Sequence, residues 1–223
     1  MMQILKSREE WLKARAGSIG GSDAAAVVGL SPYMSNVELW EIKTGRKEKE
    51  DISENPAVKY GTNAEPYLRE LFKLDYPELG VSYEENNLWT NDKYPFAHAS
   101  LDGWLCDQNG RFGILEIKTT TIKNPAQKLK WDKKIPSNYY CQVLYYMAIL
   151  EADFAILTAQ LKWDKQDLAD SEVFKITKNY RIEREEVQED IDFLMDKAAE
   201  FWEMIRKDER PPLILPFDFK WFT

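Results

Sequence analysis

An α/β (α+β) fold, a central mixed β-sheet flanked by helices, is predicted by three features of this sequence. Capped helical patterns fill the amino-terminal third, strand-like alternation takes over after Gly80, and helical and strand patterns then follow in turn to a long amphipathic stretch. With 223 residues and 44% hydrophobic content, the chain can bury a sizeable core. No repeat, low-complexity tract or Pro/Gly-rich linker divides it, so residues 1–223 read as one domain.

Each element has a local signal. Ser7-Arg8-Glu9-Glu10 is a capping-box pattern opening a short helix. Ser22 is placed to cap a second helix through Val28, ended by Gly29, and Ser35 a third, closed by Gly45. Charged Arg46 to Asn55 reads as a loop, and Thr62-Asn63-Ala64-Glu65 as the start of a helix to about Leu74. Val81 to Trp89, Tyr94 to Cys106 and Phe112 to Thr119 alternate as strands, the last two joined by an Asn109-Gly110 turn. Ser137 opens a helix to Leu150; Phe154 to Leu161 and Glu172 to Thr177 read as strands. Glu183 to Lys207 is a long amphipathic helix stopped by Pro211-Pro212.

Composition excludes several chemistries. Two cysteines are too few for a disulfide scaffold, a Cys-rich zinc module or a four-cysteine iron–sulfur site, and they read as buried thiols. Any Ser-His-Asp chemistry would rest on the single His98, for which a packed or hydrogen-bonded role is favoured. No apolar core of secretory length stands at the start, and Val143 to Leu150 is too short to span a bilayer. The expectation is a cytoplasmic protein with no membrane contact. The net charge is −8, unevenly spread: Glu116 to Asn138 carries +4 and Glu183 to Arg210 carries −6. On charge alone these are a solvated loop and a solvated helix, although a local basic stretch can track a nucleic-acid backbone.

The strongest local signal is Ile114-Leu115-Glu116-Ile117-Lys118-Thr119. On a strand Glu116 and Lys118 share one face, and Leu115 and Ile117 point into a core on the other. Asp102 lies fourteen residues earlier, on the hairpin partner, where the turn brings it beside Glu116. Two adjacent carboxylates repel unless a cation neutralises them, and hard oxygen donors suit Mg²⁺ or Mn²⁺. A lysine beside that cation can have its pKa lowered and can orient or deprotonate water, which suits metal-assisted phosphodiester hydrolysis. The plainer alternative is a cross-strand salt bridge of little consequence.

Asp102 followed by Glu116-Ile117-Lys118 resembles the PD-(D/E)xK nuclease superfamily with its restriction-endonuclease-like core. Three flanking motifs resemble one branch, the phage-type exonucleases of the lambda exonuclease and YqaJ recombinase family. They are Arg15 to Ala24 followed by Gly29-Leu30-Ser31-Pro32-Tyr33; Tyr60-Gly61-Thr62-Asn63-Ala64-Glu65-Pro66; and Gln142-Val143-Leu144-Tyr145-Tyr146. The likeness runs from about Arg15 to Leu150, with fold analogy alone beyond it.

The resemblance implies a Mg²⁺-dependent (or Mn²⁺-dependent) alkaline exonuclease that degrades one strand of linear duplex DNA 5′→3′ and leaves 3′ overhangs. Asp102, Glu116 and the carbonyl of Ile117 would hold the metal, and Lys118 would position or activate water. Glu65 would add a carboxylate, Gln142 would orient the reacting group, and Arg15 and Ser22 would anchor a DNA phosphate. Each has a plain alternative: a capping box with Thr62 for Glu65, a satisfied amide for Gln142, a surface charge for Arg15 and a helix cap for Ser22. Trp104 reads as core. The implied partners are duplex DNA ends, a single-strand annealing protein and further copies of the chain in a ring-shaped trimer. A structure- or site-specific endonuclease on the same core, and a catalytically inactive DNA-binding recombination scaffold, are the alternatives.

Overall fold

Polar side chains start the amino-terminal helices, though not always the ones the sequence predicts. In the computed structural model, which describes residues 1–163 and 175–215, Ser7 caps α1 (Arg8–Ala16) by accepting the Glu10 N–H at 3.2 Å. Ser35 caps α3 (Asn36–Lys43) by accepting the Glu38 N–H at 3.1 Å. For α2 (Gly21–Val27) the cap is Gly20, and Asp23 reaches back to the Gly20 N–H at 3.1 Å while Ser22 is exposed in the first turn. The helix starts at Gly21, so Ser22 lies inside the first turn rather than at the cap, and Asp23 meets the N–H of the residue ahead of the helix. Asp23 also meets Lys43 at 2.9 Å with both side chains buried, and Lys43 donates to the Ser18 carbonyl at 2.6 Å. This buried pair ties α3 to the turn ahead of α2, and removing either partner would strand a charge.

α4 (Pro56–Asp75) begins well before Thr62, because Asn55 accepts the Ala57 N–H at 2.9 Å and Pro56 occupies the first turn. Thr62 and Glu65 therefore form no capping box; Glu65 pairs with Arg69 one turn on. Pro66 sits inside the helix, where it has no N–H for the Thr62 carbonyl.

Two expected strands are broken. Val81 to Trp89 divides into β3 (Gly80–Ser82) and β4 (Asn87–Trp89), separated at Asn86, whose φ is 56°. β4 pairs with β1 (Met2–Ile4). Tyr94 to Cys106 divides into β5 (Ala97–His98), parallel to β2 (Ile19–Gly20), and β6 (Gly103–Cys106). Between them the buried Asn87 side chain accepts the Leu101 N–H at 2.8 Å and donates to its carbonyl at 2.9 Å. One amide thus replaces a ladder, and His98, Ser100 and Asp102 do not share a strand face.

The main sheet has the order β3-β6-β7-β8-β9, with β7 (Phe112–Ile122), β8 (Phe154–Trp163) and β9 (Lys175–Glu183). β7 and β8 are parallel, joined through α5 (Pro125–Leu129) and α6 (Ser137–Leu150); the other pairs are antiparallel, so the sheet is mixed. α5 forms inside the stretch read as a loop, capped by Asn124, and Pro136 rather than Ser137 is the N-cap of α6. Of the expected Glu172–Thr177 strand, residues 172–174 lie outside the described residues and 175–177 open β9. At the β6–β7 turn Asp107 accepts the Asn109 and Arg111 N–H groups at 2.9 and 3.0 Å, and Gly110 takes a φ of 75°. α7 (Arg184–Arg206) closes the described fold, and its first residue donates to the Met147 and Ala152 carbonyls near the end of α6.

Alternation along β7 divides the core. Ile114 joins the larger cluster under α2, α6 and α7, whereas Leu115 and Ile117 join a smaller one with Leu68 and Phe72 of α4. Cys141 is buried and Cys106 is exposed, so only one of the two thiols matches the expectation. Among the described residues no helix is long and apolar enough to cross a membrane.

The α2–α6 contact depends on Gly21, where an added Cβ would overlap the Tyr146 ring. Gly21→Ala gains about 1 kcal/mol of helix propensity but overpacks the contact at about 1–3 kcal/mol. A lower urea midpoint is expected; an unchanged or raised one would show that the two helices have room to part.

Candidate active site

β6 pairs with β7 only as far as Leu115, so from Glu116 onward that edge of β7 is free of strand partners. Asp102, immediately before β6, occupies the vacated edge: its Oδ2 accepts the Ile117 N–H at 2.8 Å. In an antiparallel ladder a residue presents its N–H and its carbonyl to the same neighbour, so the Ile117 carbonyl leaves the strand on Asp102's side. The Asn109-Gly110 hairpin has therefore brought Asp102 to Glu116, as its turn signal predicts.

Glu116 and Lys118 point to one face, as expected, with Lys118 Nζ 2.5 Å from Glu116 Oε1. Gln142 of α6 donates its Nε2 to the same oxygen at 2.7 Å and to the Tyr146 hydroxyl at 3.1 Å. Glu116 is 1% exposed, and its second oxygen, Oε2, is buried with no hydrogen-bond partner. From the opposite side α4 brings Glu65, held by Arg69, whose Nε also donates to the Asp102 carbonyl at 2.6 Å. Glu65, Asp102, Glu116, Ile117, Lys118 and Gln142 are thus gathered at one point.

The electrostatics show how uneasy this gathering is. Burial, then the charge of Asp102, pushes Glu116 up to about 8 and Glu65 up to about 7. Burial also raises Asp102, against the pull of Lys118. Burial works against the charge on Lys118, but Glu116 and Asp102 outweigh it and hold the side chain above its ordinary range, as an ammonium. The sequence reading has this lysine lowered beside a cation; the carboxylates alone do the reverse.

A cavity of about 740 Å³ opens over these groups, with Ser22, Tyr33, Glu65, Asp102, Lys118 and Gln142 on its wall. Ser22 thus reaches the site although it caps nothing. Arg15 is not on that wall: its guanidinium lies 4.0 Å from the Trp11 ring and its Nε donates to His98 Nε2 at 3.4 Å, yet its charge still lowers the Asp102 carboxyl. His98 is buried in the hydrogen-bonded role expected of it, bonded also to Ser18 Oγ at 2.7 Å, and burial followed by the Arg15 charge lowers it to about 3.

Several participants escape the sequence reading. Arg69 was detectable as the i+4 partner of Glu65. Tyr139, whose ring centre is 5.3 Å from Lys118 Nζ, carries no local signal; Tyr33, bonded to Tyr139 and pushed up to about 12 by burial and by that neighbour, closes the first flanking motif but is given no role there. Lys47, Lys49 and Ile52 bring the Arg46–Asn55 connection onto the cavity wall.

The donor set suits a hard divalent cation. Asp102, Glu116 and the Ile117 carbonyl offer only oxygen, both carboxylates are held above their ordinary range, and one carboxylate oxygen has no partner. Among the described residues no three His, Cys, Asp or Glu side chains converge closely enough to cage an ion. Mg²⁺ does not require such a cage, since one or two carboxylates and several waters are its common set.

Comparison with known proteins gives one family and one fold. Residues 10–154 match the YqaJ-like viral recombinase domain. Over 203 residues the chain is 31% identical to the Uncharacterized protein YqaJ of Bacillus subtilis (strain 168), covering 88% of this chain and 56% of that protein. The chain therefore spans little more than half the length of that relative. The crystal structure of an alkaline exonuclease (LHK-Exo) from Laribacter hongkongensis superposes with a TM-score of 0.59 at 21% identity, covering 91% of this chain and 96% of that one. LHK-Exo in complex with dAMP matches with the same TM-score at 22% identity and the same coverage. At these identities the structural likeness is one of fold.

Proposed function

The chain belongs to the YqaJ-like viral recombinase family, and from that premise we propose that it is a phage-type exonuclease, a divalent-metal-dependent enzyme that degrades one strand of linear duplex DNA 5′→3′ and leaves 3′ overhangs. The observation that carries the reading is Glu116 Oε2, a buried carboxylate oxygen without a partner, on a side chain whose other oxygen meets the Lys118 ammonium beside a cavity that Asp102 and Lys118 line. A structural salt bridge would satisfy both oxygens; a site built to receive a cation leaves one open. The fold relative solved with dAMP, a nucleoside monophosphate of the kind an exonuclease releases, supports the same reading.

Asp102, Glu116 and the Ile117 carbonyl would hold the metal, Mg²⁺ or Mn²⁺, which would polarise the phosphate and lower the pKa of water. Water oxygen forms the new bond to phosphorus, the bond from phosphorus to the 3′ oxygen breaks, and that oxygen takes up a proton. Lys118, as an ammonium, orients the water and balances charge that builds on the phosphate oxygens. Gln142 fixes Glu116 by its Oε1, which would leave Oε2 available to the ion. Glu65 adds negative charge on the α4 side, where Arg69 holds it. Each cut leaves a fresh 5′-phosphate on the remaining strand, and Arg15 and Ser22 anchor that group. The working form is a ring-shaped homotrimer that hands its product to a single-strand annealing protein.

The test is digestion, with Mg²⁺, of a linear duplex in 5′-phosphate and 5′-hydroxyl forms beside a closed circle. Loss of the 5′-phosphorylated strand with the circle untouched is the expected result. A nicked or linearised circle would point to an endonuclease on the same core. Absence of metal-dependent cleavage would leave a DNA-binding scaffold.

A further inference from the structure

Arg15 stands in the last turn of α1 with one face of its guanidinium against Trp11 and its Nε on the imidazole of His98. Among the described residues no acceptor meets its two terminal nitrogens, which leaves a planar pair of donors free for a phosphate. The partner on Nε is unusual in kind. A carboxylate there would fix the side chain equally well but would neutralise it and compete with the phosphate. A neutral imidazole fixes it and leaves the charge intact.

Everything around His98 serves that state. Its Nε2 accepts from Arg15, so its Nδ1 carries the proton and donates to Ser18 Oγ at 2.7 Å. The ring packs against the backbone before α2, where a Cβ on Gly20 would lie 2.7 Å from Nε2, and the β2–β5 pairing sets Gly20 opposite His98. Burial, with the Arg15 charge, lowers His98 far below the physiological range, so the ring is neutral.

The same short segment runs from His98 to Asp102 and is held along its length. Trp11 Nε1 donates to Ser100 Oγ at 3.1 Å, Asn87 clamps Leu101 on both sides of its peptide, and Asp102 is fixed on the Ile117 N–H at 2.8 Å. Residues 98–102 therefore form a spacer with Arg15 tied to one end and a metal-binding carboxylate at the other. We propose that His98 is a positioning residue that holds Arg15 as an un-neutralised phosphate anchor at a set distance from the reacting centre, and thereby makes the enzyme prefer 5′-phosphorylated ends. The inference rests on the exonuclease reading for the role of Arg15, and on this structure alone for the role of His98.

The experiment compares short duplexes bearing a 5′-phosphate or a 5′-hydroxyl, by binding anisotropy in EDTA and by kcat/KM with Mg²⁺, for the wild type, His98→Leu, His98→Gln and Ser18→Ala. Loss of one hydrogen bond to a charged group corresponds to about tenfold in affinity. His98→Leu is expected to cut the phosphate-to-hydroxyl ratio by about tenfold through KM, with kcat on hydroxyl ends little changed. His98→Gln, which keeps an acceptor near the Nε2 position, is expected to retain most of the preference. Ser18→Ala, which frees the ring without emptying the core, is expected to lower it by a few fold and decides the matter if His98→Leu does not fold. A wild-type preference that His98→Leu and Ser18→Ala leave intact would overturn the positioning role alone, as would equal losses on both kinds of end. A wild type with no preference would overturn the Arg15 anchor and the inference with it.

Discussion

Lys118→Ala is expected to slow phosphodiester cleavage about 10³-fold while the protein remains folded. Lys118 is the only cation in direct contact with Glu116 among the described residues. Arg69 is engaged by Glu65 and the Asp102 carbonyl, and Arg15, held through Nε by His98, is not on the wall of the cavity that Lys118 lines. Removing Lys118 leaves no ammonium to orient water or to meet charge building on the phosphate. The fold survives because Glu116, already pushed up by burial and by Asp102, takes a proton instead of standing as an uncompensated buried charge. Lys118→Arg is not expected to restore the rate, since a planar guanidinium cannot replace a compact ammonium 2.5 Å from Glu116 and 5.3 Å from the centre of the Tyr139 ring. Single-turnover rates on a 5′-phosphorylated duplex, with circular dichroism as the control for folding, check this. A Lys118→Ala protein within tenfold of the wild type would remove the lysine from the mechanism.

Asp102→Asn is expected to abolish cleavage and to separate stability from metal binding. The asparagine keeps an acceptor for the Ile117 N–H but loses the charge that raises Glu116 and Glu65. In EDTA the variant should therefore unfold later than the wild type, by about 1 kcal/mol. With Mg²⁺ at ten times its dissociation constant the wild type gains about 1.4 kcal/mol, or about 3–5 °C in Tm for a chain of this size. The variant gains nothing, so the order of the two melting curves narrows or reverses when the ion is added. Equal shifts in both proteins would place the ion away from Asp102.

The sequence was most legible where the deciding interactions are local. β7 begins at Phe112 as predicted, because a strand's alternation and an Asx turn are both written within a few residues; it merely runs on to Ile122. The shared face of Glu116 and Lys118 follows from the same alternation, and the approach of Asp102 from the turn. Where two local signals compete, the structure takes the earlier one: Asn55-Pro56 starts α4 ahead of Thr62, and α2 starts at Gly21, ahead of Ser22. The broken strands were hidden for another reason. Asn87 supplies hydrogen bonds to Leu101 across fourteen positions, and nothing near Leu101 announces it. The contact of Arg15 with His98 spans 83 positions, so its motif located an anchor without showing what holds it. The charge strain at Glu116 was legible as adjacency, but its size depends on α6 and α4 closing over it.

The hairpin that carries Asp102 and Lys118 has a further consequence. The two carboxylates and the lysine fall within one short turn-linked segment, and the loop-closure entropy of bringing them together is correspondingly small. Assembling the reactive trio is therefore nearly free; desolvating it is not. That cost falls on the distant elements that cover it, α6 with Gln142 and α4 with Glu65 and Arg69, which must pack well enough to keep Glu116 out of water and Asp102 and Glu65 partly so. Variation that loosens those helices would relax the charges before it disturbed the hairpin. The acidic cluster is thus easy to assemble, and the demanding part of the site is the packing of α6 and α4 over it.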